Sequence, residues 1–484
     1  MQLSMTPCHR QSKTRRWLFR LPAVALMVVA FPTVGLATEP LAAQAMAVRY
    51  LDVFNAGDRT AYDAFVASHW PGADAGHDEF IGNDDRSRVQ SGGYDLVKVE
   101  IASQLDAVDV VKARLADEYF RLEVHLRADG EAIDRLTLLP IDRPADVPAP
   151  TRLGVAQLGR EIDQQLAAMG DFSGAVLVAV DGRKVYQKAS GYADRNSLTP
   201  NSLETPFRMA SMGKMFTAVG VMQLVEAGKL EMDAPIGRYL TDYPNAEFAN
   251  TVTIRQLLTH TGGAGDFMSR MWAENYETLR TPSDYVAMFG ARAPQFAPGS
   301  RFSYANYGYV VLGRLIEVAS GQAYVNYLQD RIFGPAGMTH SGLDAAISST
   351  PVATTYVMSG ETLERSPPPF DGVGSPAGTA FSTVGDMLKF AEALTSSQLL
   401  SRQTVDEMWT PQVHGDETDL GFGFQIRAAG DVSDVGHDGG GPGQNGTLRI
   451  IGRGQAVVVV LTNVAPMWRG DKLGAFIANR VPVH

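Results

Sequence analysis

Ser211 and Lys214 stand three residues apart in Ser211-Met212-Gly213-Lys214, a spacing that puts a hydroxyl and an amine on one face of a helix. A serine hydroxyl is a weak nucleophile until a neighbouring base takes its proton. An amine one turn away can be that base. Downstream, Met215 to Val225 is apolar nearly all round, the pattern of a helix sunk in a core. Such burial partly desolvates Lys214 and lowers its pKa into a useful range. Alone, the spacing is weak evidence, because roughly one Ser-x-x-Lys arises by accident in a chain this long.

Two further segments follow in order. Tyr304-Ala305-Asn306 closes the turn that starts at Pro298 and leads into the amphipathic run Tyr307 to Ser320. His437-Asp438-Gly439 lies within Gly436 to Gly441, ahead of two β-rich runs, Thr447 to Ile451 and Ala456 to Thr462. With these three motifs the chain resembles the serine β-lactamase and penicillin-binding family, in its class C-like branch with esterases and D-peptidases. The resemblance covers about residues 154 to 480 and takes in Phe172 to Val178, Leu257 to Gly263 and Pro376 to Thr383.

The resemblance implies acyl transfer in two steps. Ser211 attacks an ester or amide carbonyl, and water later hydrolyses the acyl-enzyme. Lys214 is the first-choice base, and Tyr304 is a phenol that shuttles protons between lysine, leaving group and water. Which of the two takes the first proton stays open, since they can titrate as one unit. Asn306 orients Lys214 and hydrogen-bonds the substrate. The main-chain N–H groups of Ser211 and of Gly440, on an edge strand, would meet the oxyanion, with Gly439 to Gly441 allowing close approach. His437 replaces the lysine of the Lys-Thr-Gly found in efficient β-lactamases. Histidine is mostly neutral at pH 7 unless acidic neighbours raise its pKa, and Asp438 is one such neighbour. This departure argues against strong β-lactam turnover.

Plainer readings exist for each residue. Ser211 could cap a helix and Lys214 could snorkel to the surface, although the apolar helix beyond disfavours that. Asn306 could cap the helix starting at Tyr307, and Tyr304 could be a core aromatic. His260-Thr261-Gly262 also reads as His-Thr-Gly, but it falls between the first two motifs, so a scaffold role for His260 is preferred. Neither a His-Glu-x-x-His nor a histidine cluster at ligand spacing is present, so no metal is expected. Phosphate-binding glycine patterns are absent too, and no cofactor is expected.

Positioning these groups takes more than one domain, because 484 residues exceed a comfortable single core. Residues 1–37 read as a signal peptide, with Arg10, Lys13, Arg15, Arg16 and Arg20 preceding an apolar stretch from Leu21 to Leu36. Thr14 to Phe19 resembles a twin-arginine signal, and a Sec signal with a chance arginine pair fits equally. Either predicts export to the periplasm or beyond, with no stable membrane anchor after processing. Cys8, the sole cysteine, falls inside this segment. Removing the five positive charges would take the net charge from −11 to −16, which argues against nucleic acid and anionic membranes as partners.

Residues 41–139 read as a small α+β accessory domain, cystatin- or NTF2-like in shape. Helices at Ala42 to Asn55 and after Asp58 precede strands around Val97 to Ile101, Val110 to Leu115, Phe120 to Leu126 and Ile133 to Leu139. Such a module is rigid or pairs subunits, which would make a homo-oligomer. Residues 140–152, with Pro140, Pro144, Pro148 and Pro150, form a stiff linker. Residues 153–484 form the hydrolase domain. The fold class is therefore α+β, an α/β sandwich whose antiparallel sheet takes its first and last strands from opposite ends of the domain, with a helical half inserted between.

The resulting expectation is an exported serine hydrolase acting on an ester, D-amino-acid peptide or related amide, with a small-molecule or cell-wall-derived peptide substrate. The alternatives are a β-lactamase, or a penicillin-binding sensor or scaffold that acylates and deacylates slowly.

Overall fold

The computed structural model describes residues 41–70, 88, 90–170, 172–343, 348, 350–359, 362–366, 375–416, 418–430, 432–464 and 469–484. The expected signal peptide, residues 1–37, and residues 71–87, where a polar loop is expected, lie outside the described residues. Helix α1 (Ala42–Ala56) ends at Gly57, whose left-handed φ of 67° terminates it. Helix α2 (Arg59–His69) is capped by Asp58, which accepts the Ala61 N–H at 3.1 Å. Both pack on an antiparallel sheet of β1 (Tyr94–Ala102), β2 (Asp106–Ala113), β3 (Tyr119–Leu126) and β4 (Ile133–Ile141), in that order. Tyr50, Phe54, Phe65, Val111, Leu122 and Val124 share this unit's own core.

Alternation at Val97, Val99 and Ile101 predicts one buried face for β1, yet the strand is exposed from Asp95 to Ala102. Two register shifts, at Leu96/Lys98 and Val99/Ile101, break the pleat. Bulges of this kind are a common way to twist an edge strand away from unwanted pairing.

In the larger part, α3 (Val155–Met169) precedes the hairpin of β5 (Gly174–Val180) and β6 (Arg183–Ser190). Asp181 and Gly182 turn it with φ of 49° and 70°, as a two-residue hairpin loop requires. The chain returns to the same sheet with β7 (Val413–His414), β8 (Asp419–Leu420), β9 (Gln425–Ala429), β10 (Val432–Gly441), β11 (Gln444–Ile451) and β12 (Ala456–Thr462). Among the described residues the spatial order is β7-β8-β9-β10-β11-β12-β5-β6, all antiparallel.

Both faces of β5 and β12 are covered, which explains why they read as unbroken apolar runs rather than alternating ones. Ala175, Leu177 and Ala179 join the core shared with the helical half. Val176, Val178 and Val180 face α3 and the C-terminal helix, Arg469–Ala478. Between β6 and β7 lies the helical half, centred on α4 (Lys214–Glu226), which is buried from Lys214 through Met222.

The β2–β3 turn of the small unit plugs the outer core through Leu115. Asp117 there accepts two bonds from Arg480, Nη1 at 2.5 Å and Nη2 at 3.0 Å, and one from Asn479 at 3.1 Å. Burial pushes the Asp117 carboxyl up, but the hydrogen bonds and charge of Arg480 outweigh it and hold the group below its ordinary range. Removing one partner of a buried ion pair strands the other, typically at a cost of about 3–5 kcal/mol. Glu161 still lies 3.5 Å from Arg480, so Asp117→Ala should fall at the lower end, about 3 kcal/mol, in urea unfolding. Asp63→Ala, which breaks the exposed Arg59–Asp63 pair, should cost about 0.5 kcal/mol or less. Equal losses would refute the clamp.

Candidate active site

The nucleophile candidate sits on a 3-10 turn, Ala210–Gly213, that runs directly into α4. Sequence reasoning expects an α-helical turn there. A 3-10 turn eclipses residues i and i+3, so it aligns Ser211 with Lys214 more closely than an α-helix would. Ala210 pays for the tight entry with a left-handed φ of 44°. Two contacts hold the turn: Met209 N–H donates to Ala380 O at 2.9 Å, and Phe207–Arg208 pairs with Phe381–Ser382. A Cβ on Gly378 would stand 2.7 Å from the Ala210 carbonyl carbon and oxygen. Only glycine lets that loop pass beneath the turn.

Lys214 is fully buried, at 0% exposure. Its Nζ donates to Ser211 Oγ at 3.0 Å, Asn306 Oδ1 at 2.7 Å and the Ala377 carbonyl at 2.7 Å. Burial lowers its pKa to about 7 from an ordinary 10.5, while the charge of Asp266 partly opposes the fall. On losing a proton the amine keeps two hydrogens for Asn306 and Ala377 and turns its lone pair toward Ser211. Geometry and pKa both suit this amine to act as a base.

Tyr304 is half-buried, with its phenol hydrogen-bonded to Ser211. Burial raises its pKa above 10.0, and the Ser211 bond opposes that only in part. The ring is pinned from behind by His260, stacked at 4.4 Å between centroids and 24° between planes. His260 Nδ1 accepts the Ala305 N–H at 3.0 Å, and its own carbonyl accepts the Ser303 N–H at 3.0 Å. Burial, with the charge of Lys214 adding to it, keeps this imidazole far below 6.5 and neutral.

Asn306 opens the helix Asn306–Ser320 as its first residue, and Ala305 is the cap. Its side chain does not cap. It accepts from Lys214 and donates Nδ2 to Asp266 Oδ2 at 2.7 Å.

His437 and Gly439 lie on β10, on the side that faces the Ser211 turn. A Cβ on Gly439 would stand 2.1 Å from Met209 O. The edge-strand expectation needs correction: β10 is interior, pairing with β9 from Val432 to Gly436. Only from His437 to Gly441 does it pair with β11 alone, among the described residues. His437 Nδ1 donates to the Asp438 carbonyl. Burial lowers its pKa to about 4, ahead of the opposing influence of Asp438. The Asp438 carboxylate points the other way, to Arg427 and Thr447, as strand alternation requires.

Ser211, Asn306, Gly440 and Gly441 line one cleft of about 610 Å³ with Phe267, Trp272 and Tyr285. Sequence reasoning missed Asp266, the Ala377 carbonyl, the close approach of Gly378 and this aromatic wall. Gly378 and Ala377 lie inside the Pro376 to Thr383 segment that carries the family likeness; Asp266 and the wall had no signal of that kind.

Residues 160–480 match the Beta-lactamase family model, and the chain belongs to that family. It is 32% identical over 307 residues to a putative penicillin-binding protein, PbpX, of Bacillus subtilis (strain 168), covering 63% of this chain and 74% of that protein. Esterase EstB of Burkholderia gladioli is 33% identical over 205 residues, or 40% of this chain and 52% of the esterase. A solved structure of D-amino acid amidase from Ochrobactrum anthropi SV3 is 25% identical with a TM-score of 0.58, covering 67% of this chain and 97% of the amidase. The chain is a serine hydrolase of the β-lactamase and penicillin-binding family, with the antiparallel sheet and helices of that fold.

A pKa near 7 for the base predicts an ascending limb near pH 7 in kcat/KM, because the neutral amine is the active form. Asp266 holds that value up, so Asp266→Asn should move the limb to lower pH. A limb that stays put or moves upward would contradict this assignment.

Proposed function

We propose that the protein hydrolyses an ester or a D-amino-acid amide or peptide through an acyl-enzyme on Ser211. The observation that carries this reading is the 3.0 Å contact between Ser211 Oγ and a fully buried lysine with a pKa of about 7. Lys214 takes the Ser211 proton as Oγ bonds to the carbonyl carbon. The growing oxyanion is met by the main-chain N–H groups of Ser211 and Gly440, which both line the cleft. Tyr304, still protonated at neutral pH, gives its proton to the departing alcohol or amine and regains one from the Lys214 ammonium. Water then attacks the ester of Ser211 with the roles reversed. Asn306 fixes the amine's direction throughout.

The esterase and amidase relatives support both leaving-group classes. Against a β-lactamase stands His437, buried and neutral, which offers no fixed charge to a substrate carboxylate. Export by a Sec or twin-arginine route, as residues 1–37 suggest, would place this activity outside the cytoplasm.

A serine-directed phosphonate should add its mass to Ser211 and to no other serine, with labelling abolished in a folded Ser211→Ala variant. Label on a different serine in a tryptic map would sink the reading. Lys214→Ala and Tyr304→Phe should each lower kcat by roughly 10²–10⁴-fold, the range for loss of a general acid or base. Their double variant should lose far less than the product, as residues acting in one proton-transfer unit do. Multiplicative losses would assign them to separate steps.

A further inference from the structure

A buried asparagine joins the proposed oxyanion site to the end of a helix. Asn445 lies on β11, opposite Gly440 of β10, and is 1% exposed. Its main-chain oxygen accepts the Thr462 hydroxyl at 3.0 Å and so faces β12. Successive residues of an antiparallel strand turn their N–H and C=O to opposite sides. Asn445 therefore turns its main-chain groups away from β10, and Gly440 keeps its N–H for the cleft that it lines. The preceding carbonyl, that of Gly439, faces the other way, into β11. There it accepts Asn445 Nδ2 at 2.9 Å. The Gly439 C=O and the Gly440 N–H are opposite edges of one planar trans peptide. Whatever holds the oxygen also aims the hydrogen.

The other end of the side-chain amide is held as firmly. Asn445 Oδ1 accepts the main-chain N–H of Gly470 at 2.6 Å and that of Asp471 at 3.1 Å. Both belong to the first turn of the C-terminal helix, Arg469–Ala478, where N–H groups have no partner within the helix. Two N–H donors on one side and a carbonyl on the other permit only one orientation of the amide. A Cβ on Gly470 would stand 2.7 Å from Asn445 Oδ1, so a glycine there allows the approach. First-turn N–H groups carry the positive end of the helix dipole. Hydrogen bonds in series polarise one another. The series from the helix through Asn445 to the Gly439–Gly440 peptide makes the Gly440 N–H a stronger donor than an isolated amide.

We infer that Asn445 is a positioning residue for acyl transfer, one that aims and polarises the Gly440 N–H and so relays the positive end of the C-terminal helix to the oxyanion. This role rests on the reading of Ser211 as nucleophile and of Gly440 as an oxyanion donor. Such donors work because they are aimed before the charge develops. Glycines 439 to 441 permit close approach but are conformationally loose. Their aim has to come from a neighbour, and Asn445 supplies it.

The test compares Asn445→Asp with Asn445→Ala in the full chain. A carboxylate accepts helix N–H groups as well as an amide oxygen does, but when ionised it has no donor for the Gly439 carbonyl. If Asn445 only caps the helix, Asn445→Asp should keep wild-type activity. A relay requires both variants to lose about ten- to hundredfold in kcat/KM on p-nitrophenyl acetate, somewhat less than the roughly 10²–10³-fold cost of removing a donor outright. Rates are read on the high-pH plateau, where Lys214 is neutral, so that a shift in its titration does not enter. Phenylboronic acid forms a tetrahedral adduct on a serine nucleophile and sets an oxygen where the oxyanion develops. Its inhibition constant should rise by the same factor, as a transition-state analogue's does. Misfolding would instead lower the fraction of protein that a serine-directed phosphonate labels and leave the boronate constant native. Either variant alone suffices for that comparison. Full activity in Asn445→Asp, or an activity loss with an unchanged boronate constant, overturns the relay, while phosphonate label on Ser211 leaves the nucleophile reading standing. Absent ester hydrolysis and absent label on Ser211 in the unaltered protein would overturn both.

Discussion

Burial of a single amine organises this active site. An isolated ammonium moved out of water costs several kcal/mol even after relaxation, so Lys214 survives at 0% exposure only because three acceptors surround it. Those acceptors come from three distant stretches of chain: the 3-10 turn at Ser211, the start of the Asn306 helix and the loop at Ala377. Each must be held to a few tenths of an ångström. The left-handed Ala210, the glycine at 378 and the His260–Tyr304 stack are local costs of holding them there. In return, burial brings the lysine to about pH 7, and the remote charge of Asp266 stops it from falling further.

The same burial shapes the surroundings. His260 and His437 both face Lys214's charge in a dry setting, and both are driven neutral. Alternation along β10 turns Asp438 to the opposite face, where Arg427 and Thr447 occupy it. The result is a site with one titrating cation, one phenol and one exposed acid. A charged histidine beside Lys214 would instead depress the lysine further, by the repulsion that already lowers both histidines.

Much of this was legible in the chain. The i, i+3 spacing at Ser211 and the apolar run behind it foretold a buried amine beside the serine, and Asp181-Gly182 marked the hairpin correctly. What escaped was governed by tertiary packing. Asn306 has the side chain of a helix cap, yet Lys214 and Asp266 compete for it and win, so Ala305 takes the cap position. A 3-10 turn and an α-turn share one sequence pattern, so the spacing of Ser211 and Lys214 does not choose between them. The Ala377 contribution is a carbonyl, which any residue could supply, so side-chain chemistry cannot flag it. β1 carries the alternation of a half-buried strand, but two bulges at an edge erase its inner face.

The claim at the centre of this account is that Lys214 titrates near neutrality because it is buried. Lysine ε-carbon NMR on ¹³C-labelled protein reads that directly. One lysine should show a titration midpoint at about pH 7, well apart from the bulk near 10.4, and its signal should vanish in Lys214→Arg. If every lysine, Lys214 included, titrates above about pH 10, where unperturbed lysines do, the amine is charged at neutral pH and cannot be the base.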